Sequence, residues 1–272
     1  MKPAPVKKKR GSLDDQVNEV ITRLKKLSNK STRDGMSRYG LPSDNAMGVP
    51  VGKMQQLAKE VGRNHELAKA LWATGCYEMR MMAAFVDEPL RVTAAQMDRW
   101  CSDFDNWGIV DTVCFKLFDQ TPHAWKKVLQ WSKRRDEFQK RAAFALLACL
   151  GVHDKEATNE QFLACLPLIE EASIDGRNFV KKGVSWALRV IGRRNAELHN
   201  ACVGLAEGLA SSMNPTARSL GKEALREFKS AVVRRQLKKR PARIKEVKLV
   251  EGSSGGVSRQ DGEEFHEIKI EE

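Results

Sequence analysis

The stretch FQKRAAFALLACLG at residues 138–151 returns as FVKKGVSWALRVIG at residues 179–192, and this repeat indicates the fold. The two copies begin 41 residues apart and match in residue class at six positions, and residues 78–84 (EMRMMAA) resemble a weaker third copy. A period near 40 residues built from helix pairs is typical of HEAT-like solenoids, in which each pair buries its apolar face only against its neighbours. The alternative is an ordinary helical bundle with chance similarity.

The rest of the chain also favours helix. Apolar residues at steps of three and four predict a helix from residue 12, and further helices are expected over about 51–61, 64–74 and 76–86. Residues with capping chemistry mark several other helix starts, since their side chains can accept from free backbone N–H groups. These residues are Thr93, Asp105, Thr121, Thr158 and Asn214.

The pattern divides the chain into three parts. Residues 1–11 form a basic arm that we expect to be disordered, and residues 12–233 form the helical-repeat domain. Residues 234–272 are first basic and then acidic, and we expect a mobile tail there. The sequence therefore predicts an all-α, HEAT-like helical-repeat solenoid with a curved, concave basic face.

The charge of the chain suggests its partner. The formal net charge is +12, and the last 22 residues carry −5 of charge, so residues 1–250 carry +17. A body this positive predicts a polyanionic partner, either nucleic acid or an anionic membrane, although a high basic content can also serve solubility alone. No stretch is long enough to span a membrane and no signal peptide is visible, so we expect a cytoplasmic protein.

The cysteines and histidines suggest no metal site. The six cysteines form no C-x-x-C pair, and most have apolar neighbours. We therefore expect small buried hydrophobes in a reducing compartment, with no bound metal and no cofactor.

The segment DNWGIVD at residues 105–111 holds the strongest functional signal. Trp107 and Asp111 are four residues apart, which on a helix places an indole and a carboxylate on one face. A second indole, Trp186, follows far downstream. A carboxylate between two indoles on a basic chain predicts a pocket for a cationic group held on a polyanion. Alone, each Trp could equally be packed in the core.

Four segments resemble, in the same order, the AlkD-type family of DNA alkylation-repair glycosylases, which are built from HEAT-like repeats. These segments are residues 37–39 (SRY) before 48–50 (GVP), 106–111 (NWGIVD), 140–143 (KRAA) and 185–189 (SWALR). The resemblance implies that Asp111 is catalytic and that Trp107 and Trp186 flank the lesion. It also implies that Arg141, Lys182 and Arg189 line the DNA groove, with Tyr39 near the same site.

One position departs from the family pattern, and two basic residues extend the expected DNA contacts. The family often has an acid directly after its first tryptophan, where this chain has Gly108. The loss of that charge bears on substrate preference. Arg80 and Lys140 are further candidates for contact with phosphates.

The chemistry follows from the substrate that the resemblance implies. An N3- or N7-alkylated purine is cationic and leaves readily, and a fixed carboxylate stabilises the positive charge that develops on the sugar. We therefore expect a monofunctional, monomeric DNA glycosylase that acts on 3-methyladenine and 7-methylguanine in double-stranded DNA and associates with the nucleoid. The resemblance implies excision without full extrusion of the base. Two alternatives remain, a non-catalytic HEAT-repeat protein that binds damaged or structured DNA, and a scaffold for an acidic protein.

Overall fold

The computed structural model describes residues 11–238, so the predictions for the arm at 1–10 and for the tail from 239 onward lie outside the described residues. This part of the chain is helical and contains no strand. Its helices are α1 (Leu13–Leu27), α2 (Lys30–Met36), α3 (Val51–Val61), α4 (His65–Ala73), α5 (Tyr77–Val86), α6 (Ala94–Ser102), α7 (Trp107–Lys116), α8 (Ala124–Ser132), α9 (Glu137–His153), α10 (Asn159–Leu163), α11 (Leu166–Ala172), α12 (Asn178–Ile191), α13 (Ala196–Ala210), α14 (Pro215–Phe228) and α15 (Ala231–Lys238).

The helices form two stacked layers. In the inner layer, α3, α5, α7, α9, α12 and α14 each pack against the next. In the outer layer, α4, α8 and α13 pack against α5, α9 and α14. Each helix therefore contacts its neighbours in the stack, which is the arrangement of a helical-repeat solenoid. The predicted all-α, HEAT-like fold is confirmed.

The 41-residue period corresponds to neighbouring helices of the inner layer. Phe138 of α9 and Phe179 of α12 occupy matching positions, and their ring centroids are 5.1 Å apart. The glycines that end the two copies, Gly151 and Gly192, have the same role in packing. A Cβ on Gly151 would lie 2.6 Å from Val190 of α12, and one on Gly192 would lie 2.6 Å from Phe228 of α14. Each glycine thus lets the next inner helix approach closely.

Three predicted helix caps are present. The Thr158 N–H donates to the Gln161 side chain at 2.9 Å, which completes a capping box, and Asn214 caps α14 directly before a first-turn proline. Thr93 accepts from the Gln96 N–H at 3.1 Å, but the Gln96 side chain donates to the buried Asp87 instead of returning to the cap. Because the Gln96 side chain binds Asp87, only the Thr93 half of this capping box is formed.

Two predicted caps are wrong. Asn106, not Asp105, caps α7, because the Asn106 side-chain oxygen lies 3.0 Å from the Ile109 N–H. The Thr121 hydroxyl donates to the Phe118 carbonyl at 2.8 Å and closes a short 3₁₀ turn, and α8 begins only after His123.

At the C-terminal end of the described residues, α15 runs through the predicted domain boundary between residues 233 and 234.

The loop before α3 is held by a buried carboxylate. Glu78 of α5 is 0% exposed and accepts from the backbone N–H groups of Met47, Gly48 and Val49. Gly48 adopts φ +78°, and a Cβ there would lie 2.5 Å from the Asn29 carbonyl oxygen. These contacts fix where α3 begins, and α3 forms one wall of the site described next.

No described helix is long and apolar enough to cross a membrane.

Candidate active site and nucleic-acid groove

Asp111 and Arg141 form a two-pronged ion pair between α7 and α9. The Arg141 Nε lies 3.0 Å from Oδ1 of Asp111, and its Nη2 lies 2.7 Å from Oδ2. The Asp111 side chain is 23% exposed and that of Arg141 only 7%. A planar guanidinium that meets both carboxylate oxygens fixes the orientation of the carboxylate as well as its charge.

A third helix completes this arrangement. Arg141 also donates from Nη1 to the Phe179 carbonyl at 2.8 Å, near the start of α12. Burial raises the pKa of Asp111, and the nearby Arg141 guanidinium opposes that rise. Arg141 therefore favours the ionised form of the carboxylate and holds it at a fixed place among three inner helices.

Asp111 and Trp186 line the same cavity. The cavity has a volume of about 210 Å³, and its walls come from α3, α5, α7 and α12. Its other lining residues are Val51, Gln55, Phe85, Thr112, Phe115 and Lys116. Trp186 is half-buried in the wall, so part of its indole faces the open space. The structure thus brings together two of the three residues predicted to form the reaction centre.

Trp107 lies beside this cavity and is not part of its lining. It is the first residue of α7, one turn before Asp111, and it is half-buried. Its indole N–H donates to the Tyr39 carbonyl at 2.8 Å, which attaches the segment before α3 to α7. The Tyr39 side chain is 71% exposed. Trp107 and Tyr39, the two site residues predicted for this region, are therefore both accessible to a ligand.

Gly108 is confined by its neighbours. A Cβ there would lie 2.9 Å from Leu41 Cδ2 and 3.0 Å from the Tyr77 hydroxyl. Burial raises the pKa of Tyr77 to about 12, so its hydroxyl stays neutral. An acidic side chain at position 108 would require both neighbours to move, which gives a packing reason for the departure from the family pattern.

Most of the predicted phosphate contacts have protein partners. Arg80 is 14% exposed and donates to the Asp103 carbonyl at 2.9 Å. The Lys140 ammonium lies 3.3 Å from the Asp175 carboxylate, and Arg189 lies 2.7 Å from Glu227. Arg141 is the buried partner of Asp111. Binding of DNA by these residues stays a prediction, and it would have to displace or share the partners shown here.

Lys182 differs from the other predicted basic residues. Its side chain is exposed, and its ammonium lies 5.8 Å from the centroid of the Phe179 ring. It occupies the position in α12 that Arg141 occupies in α9, because each is the fifth residue of its helix. No ion pair involves Lys182 within residues 11–238, so it can reach an external anion without displacing a carboxylate of this part of the chain.

Three residues of the groove, Lys59, Phe85 and Phe115, were not predicted from the sequence, and they share a row of helix positions with the predicted Trp186. Lys59, Phe85, Phe115 and Trp186 are each the ninth residue of their inner helix, in α3, α5, α7 and α12. Phe85, Phe115 and Trp186 line the cavity, whereas the corresponding residue of α9, Ala145, is buried. Aligning the inner helices by their first residues would have revealed this row.

The fold and the ion-paired carboxylate in an open groove define a helical-repeat protein with a candidate reaction centre. Residues 20–228 match the model of the family described as DNA alkylation repair enzyme. The chain therefore belongs to the DNA alkylation repair family. A comparison with curated proteins finds no match.

The solved structures that match this chain have low sequence identity to it. One is described as belonging to a new family of proteins related to the HEAT-like repeat DNA glycosylases, with affinity for branched DNA structures. It matches with a TM-score of 0.67 and 21% identity, over 81% of this chain and 95% of that one. A designed armadillo repeat protein in complex with the peptide (KR)4 matches with a TM-score of only 0.35 and 12% identity, over 84% of this chain and 87% of that one.

Proposed function

We propose that the protein is a DNA glycosylase that hydrolyses the N-glycosidic bond of cationic alkylated purines, such as 3-methyladenine and 7-methylguanine, in duplex DNA. The observation that carries the proposal is the Asp111 carboxylate, held by Arg141 at the edge of a cavity that Trp186 also lines. Membership of the DNA alkylation repair family supports the same reading. We also propose that the protein acts as a monomer and associates with the nucleoid.

The reaction requires stabilisation of positive charge. When the C1′–N bond breaks, its electron pair neutralises the cationic purine, and positive charge develops on the deoxyribose. Water adds to C1′ and releases a proton to solvent, which leaves an abasic site. A preorganised carboxylate lowers the energy of this transition state, and losing one such group typically costs about 10²–10³ in rate. Asp111 is the group with the position and charge for this role.

Arg141 acts as a positioning residue in this proposal. It orients the carboxylate through two hydrogen bonds, and each carboxylate oxygen retains a second lone pair for a water molecule. The burial that raises the pKa of Asp111 would otherwise favour the protonated form, which cannot stabilise a cation as well. Arg141 thus supports both the geometry and the ionisation of the reactive group.

The indoles supply preference for a charged lesion. An aromatic face attracts a cation with about 0.5–2 kcal/mol, so Trp186 in the cavity wall and Trp107 beside it would favour an alkylated purine over a neutral one. The proposed excision leaves the base largely stacked, as the family resemblance implies, without full extrusion of the nucleotide.

The test is single-turnover excision from duplex DNA that carries 7-methylguanine. We expect Asp111→Asn to lower the rate by about 10²–10³ while binding to the same DNA persists. Asp105→Asn is the matched control, since Asp105 is an exposed carboxylate near the start of α7 that does not line the cavity. Equal rates for Asp111→Asn and Asp105→Asn would remove Asp111 from the mechanism.

A non-catalytic DNA-binding role is the second candidate. The relative with a TM-score of 0.67 is described as having affinity for branched DNA structures, and this supports testing the same ligand here. The non-catalytic role predicts tighter binding to a four-way junction than to plain duplex, without release of base. A protein scaffold, in contrast, would bind neither form of DNA in a salt-dependent way.

A further inference from the structure

A second cavity opens beside the one that contains Asp111. Its volume is about 550 Å³, and Lys59, Arg63 and Lys116 are its basic lining residues. Gln55, Phe85 and Lys116 line both cavities, so the two are continuous along the groove. Among the described residues, no carboxylate lines the larger cavity. Its walls therefore carry positive charge without local compensation.

The three cations have no acidic partner in the part of the chain that the structure describes. Lys59 is exposed in the last turn of α3, and no ion pair involves it there. The Lys116 ammonium lies 4.8 Å from the centroid of the Phe115 ring, a contact that leaves its charge unneutralised. Arg63 is exposed and donates to the Asp87 backbone carbonyl, which is a neutral acceptor.

This distinguishes the cluster from two of the basic residues that were predicted to contact DNA, Lys140 and Arg189. Lys140 and Arg189 are paired with Asp175 and Glu227, so much of their charge is already balanced within the protein. Unbalanced charges in a concave, low-dielectric wall focus their field into the open space and attract anions. An ammonium and a guanidinium are the usual protein donors to phosphate oxygens.

We propose that Lys59, Arg63 and Lys116 form a phosphate-binding subsite that holds the DNA backbone next to the Asp111 cavity. This inference rests on the proposed function and deepens it, because it names where the strand is held relative to the reaction centre. Lys116 lines both cavities and so joins the backbone contact to the site of excision. The subsite recognises the phosphodiester and carries no sequence information.

A structural explanation of the two lysines makes a different prediction. Lys59 and Lys116 both lie in the last turn of a helix, where a cation interacts favourably with the helix dipole. That interaction changes the stability of the protein and leaves the salt dependence of DNA binding unaffected. The two explanations are therefore separated by a binding measurement.

The experiment measures binding of the full chain to undamaged duplex DNA as a function of salt concentration. We expect Lys59→Gln/Lys116→Gln to reduce the slope of log Kobs against log salt by about 0.9 for each lost phosphate contact. Between 50 and 200 mM salt, the wild type would then lose roughly tenfold more affinity than the variant. Lys126→Gln/Lys133→Gln, two exposed lysines at α8 in the outer layer, is the matched control with the same charge change.

The remaining outcomes each decide the proposal. Lys59→Arg/Lys116→Arg keeps both charges and should retain the wild-type slope, and a thermal melt of each variant verifies that it is folded. A reduced slope for Arg63→Gln would include that residue in the subsite. If the slope of the glutamine double variant falls no further than that of the control double variant, the subsite does not exist. Because the DNA is undamaged, the result does not depend on whether the protein excises bases.

Discussion

Removing the charge of Asp111 should affect stability as well as excision, because it leaves Arg141 buried without its partner. The Arg141 side chain is 7% exposed, and both of its contacts to Asp111 are direct hydrogen bonds. In Asp111→Asn, one side-chain oxygen still accepts, but the other acceptor becomes an NH₂ group that faces the guanidinium. A buried cation then loses both its counter-charge and one of its hydrogen bonds.

The size of this loss follows from the geometry. Two unit charges about 4 Å apart interact by about 4 kcal/mol at an effective dielectric constant near 20. Breaking a buried pair by removing one partner usually costs about 3–5 kcal/mol. The Asp111 side chain is 23% exposed, so water screens part of the interaction. We therefore expect Asp111→Asn to lower the free energy of unfolding by about 2–4 kcal/mol.

A double-mutant cycle in urea measures this coupling directly. Arg141→Gln in the Asp111→Asn background replaces the unpaired cation with a neutral amide, so the double variant should lose less stability than the two single variants predict together. We expect a coupling free energy of about 1–3 kcal/mol. Independent, additive effects of the two substitutions would refute the view that the ion pair holds the carboxylate in place.

Three further predictions concern the same site and its supports. Arg141→Gln removes the guanidinium that opposes the burial-raised pKa of Asp111, so the pKa of Asp111 should rise further. In a single-turnover pH–rate profile, excision by the variant should therefore begin to fall at a higher pH than excision by the wild type as the pH is lowered. An acid limb at the same pH in both proteins would contradict this. Trp186→Ala should slow excision of 7-methylguanine by up to about 30-fold, the rate equivalent of a cation–π contact of about 2 kcal/mol, with Trp186→Phe retaining part of the activity. Gly48→Ala should lower the free energy of unfolding by about 1–3 kcal/mol, because Gly48 has a positive φ and a carbonyl oxygen 2.5 Å from the added Cβ. Gly52→Ala, with nothing within 4 Å of its added Cβ, is the control and should be neutral or stabilising in the same urea titration.

The repeat and several helix starts could be predicted because their signals are local. The two copies that begin at Phe138 and Phe179 share spacing and apolar pattern, and they became neighbouring inner helices. Thr158 and Asn214 cap helices through contacts within three residues, which the sequence shows directly. Asp105 failed as a cap because its neighbour Asn106 has the backbone conformation and the reach to the Ile109 N–H.

The partners of the charged residues could not be predicted, since they depend on how the helices stack. Asp111 and Arg141 are 30 residues apart, and nothing in the local pattern shows that one neutralises the other. The same holds for Lys140 with Asp175, 35 positions later in the chain. A basic residue in a motif therefore indicates a charge, and only the tertiary structure shows whether that charge is available to a ligand.

Release of free base from duplex DNA that carries 7-methylguanine tests the central claim most directly. The wild-type protein is incubated in excess over the DNA, and both the released base and the abasic site left in the strand are quantified. We predict that the two products appear together in equal amounts. DNA that is bound by the protein and yet remains intact would contradict the assignment of a glycosylase.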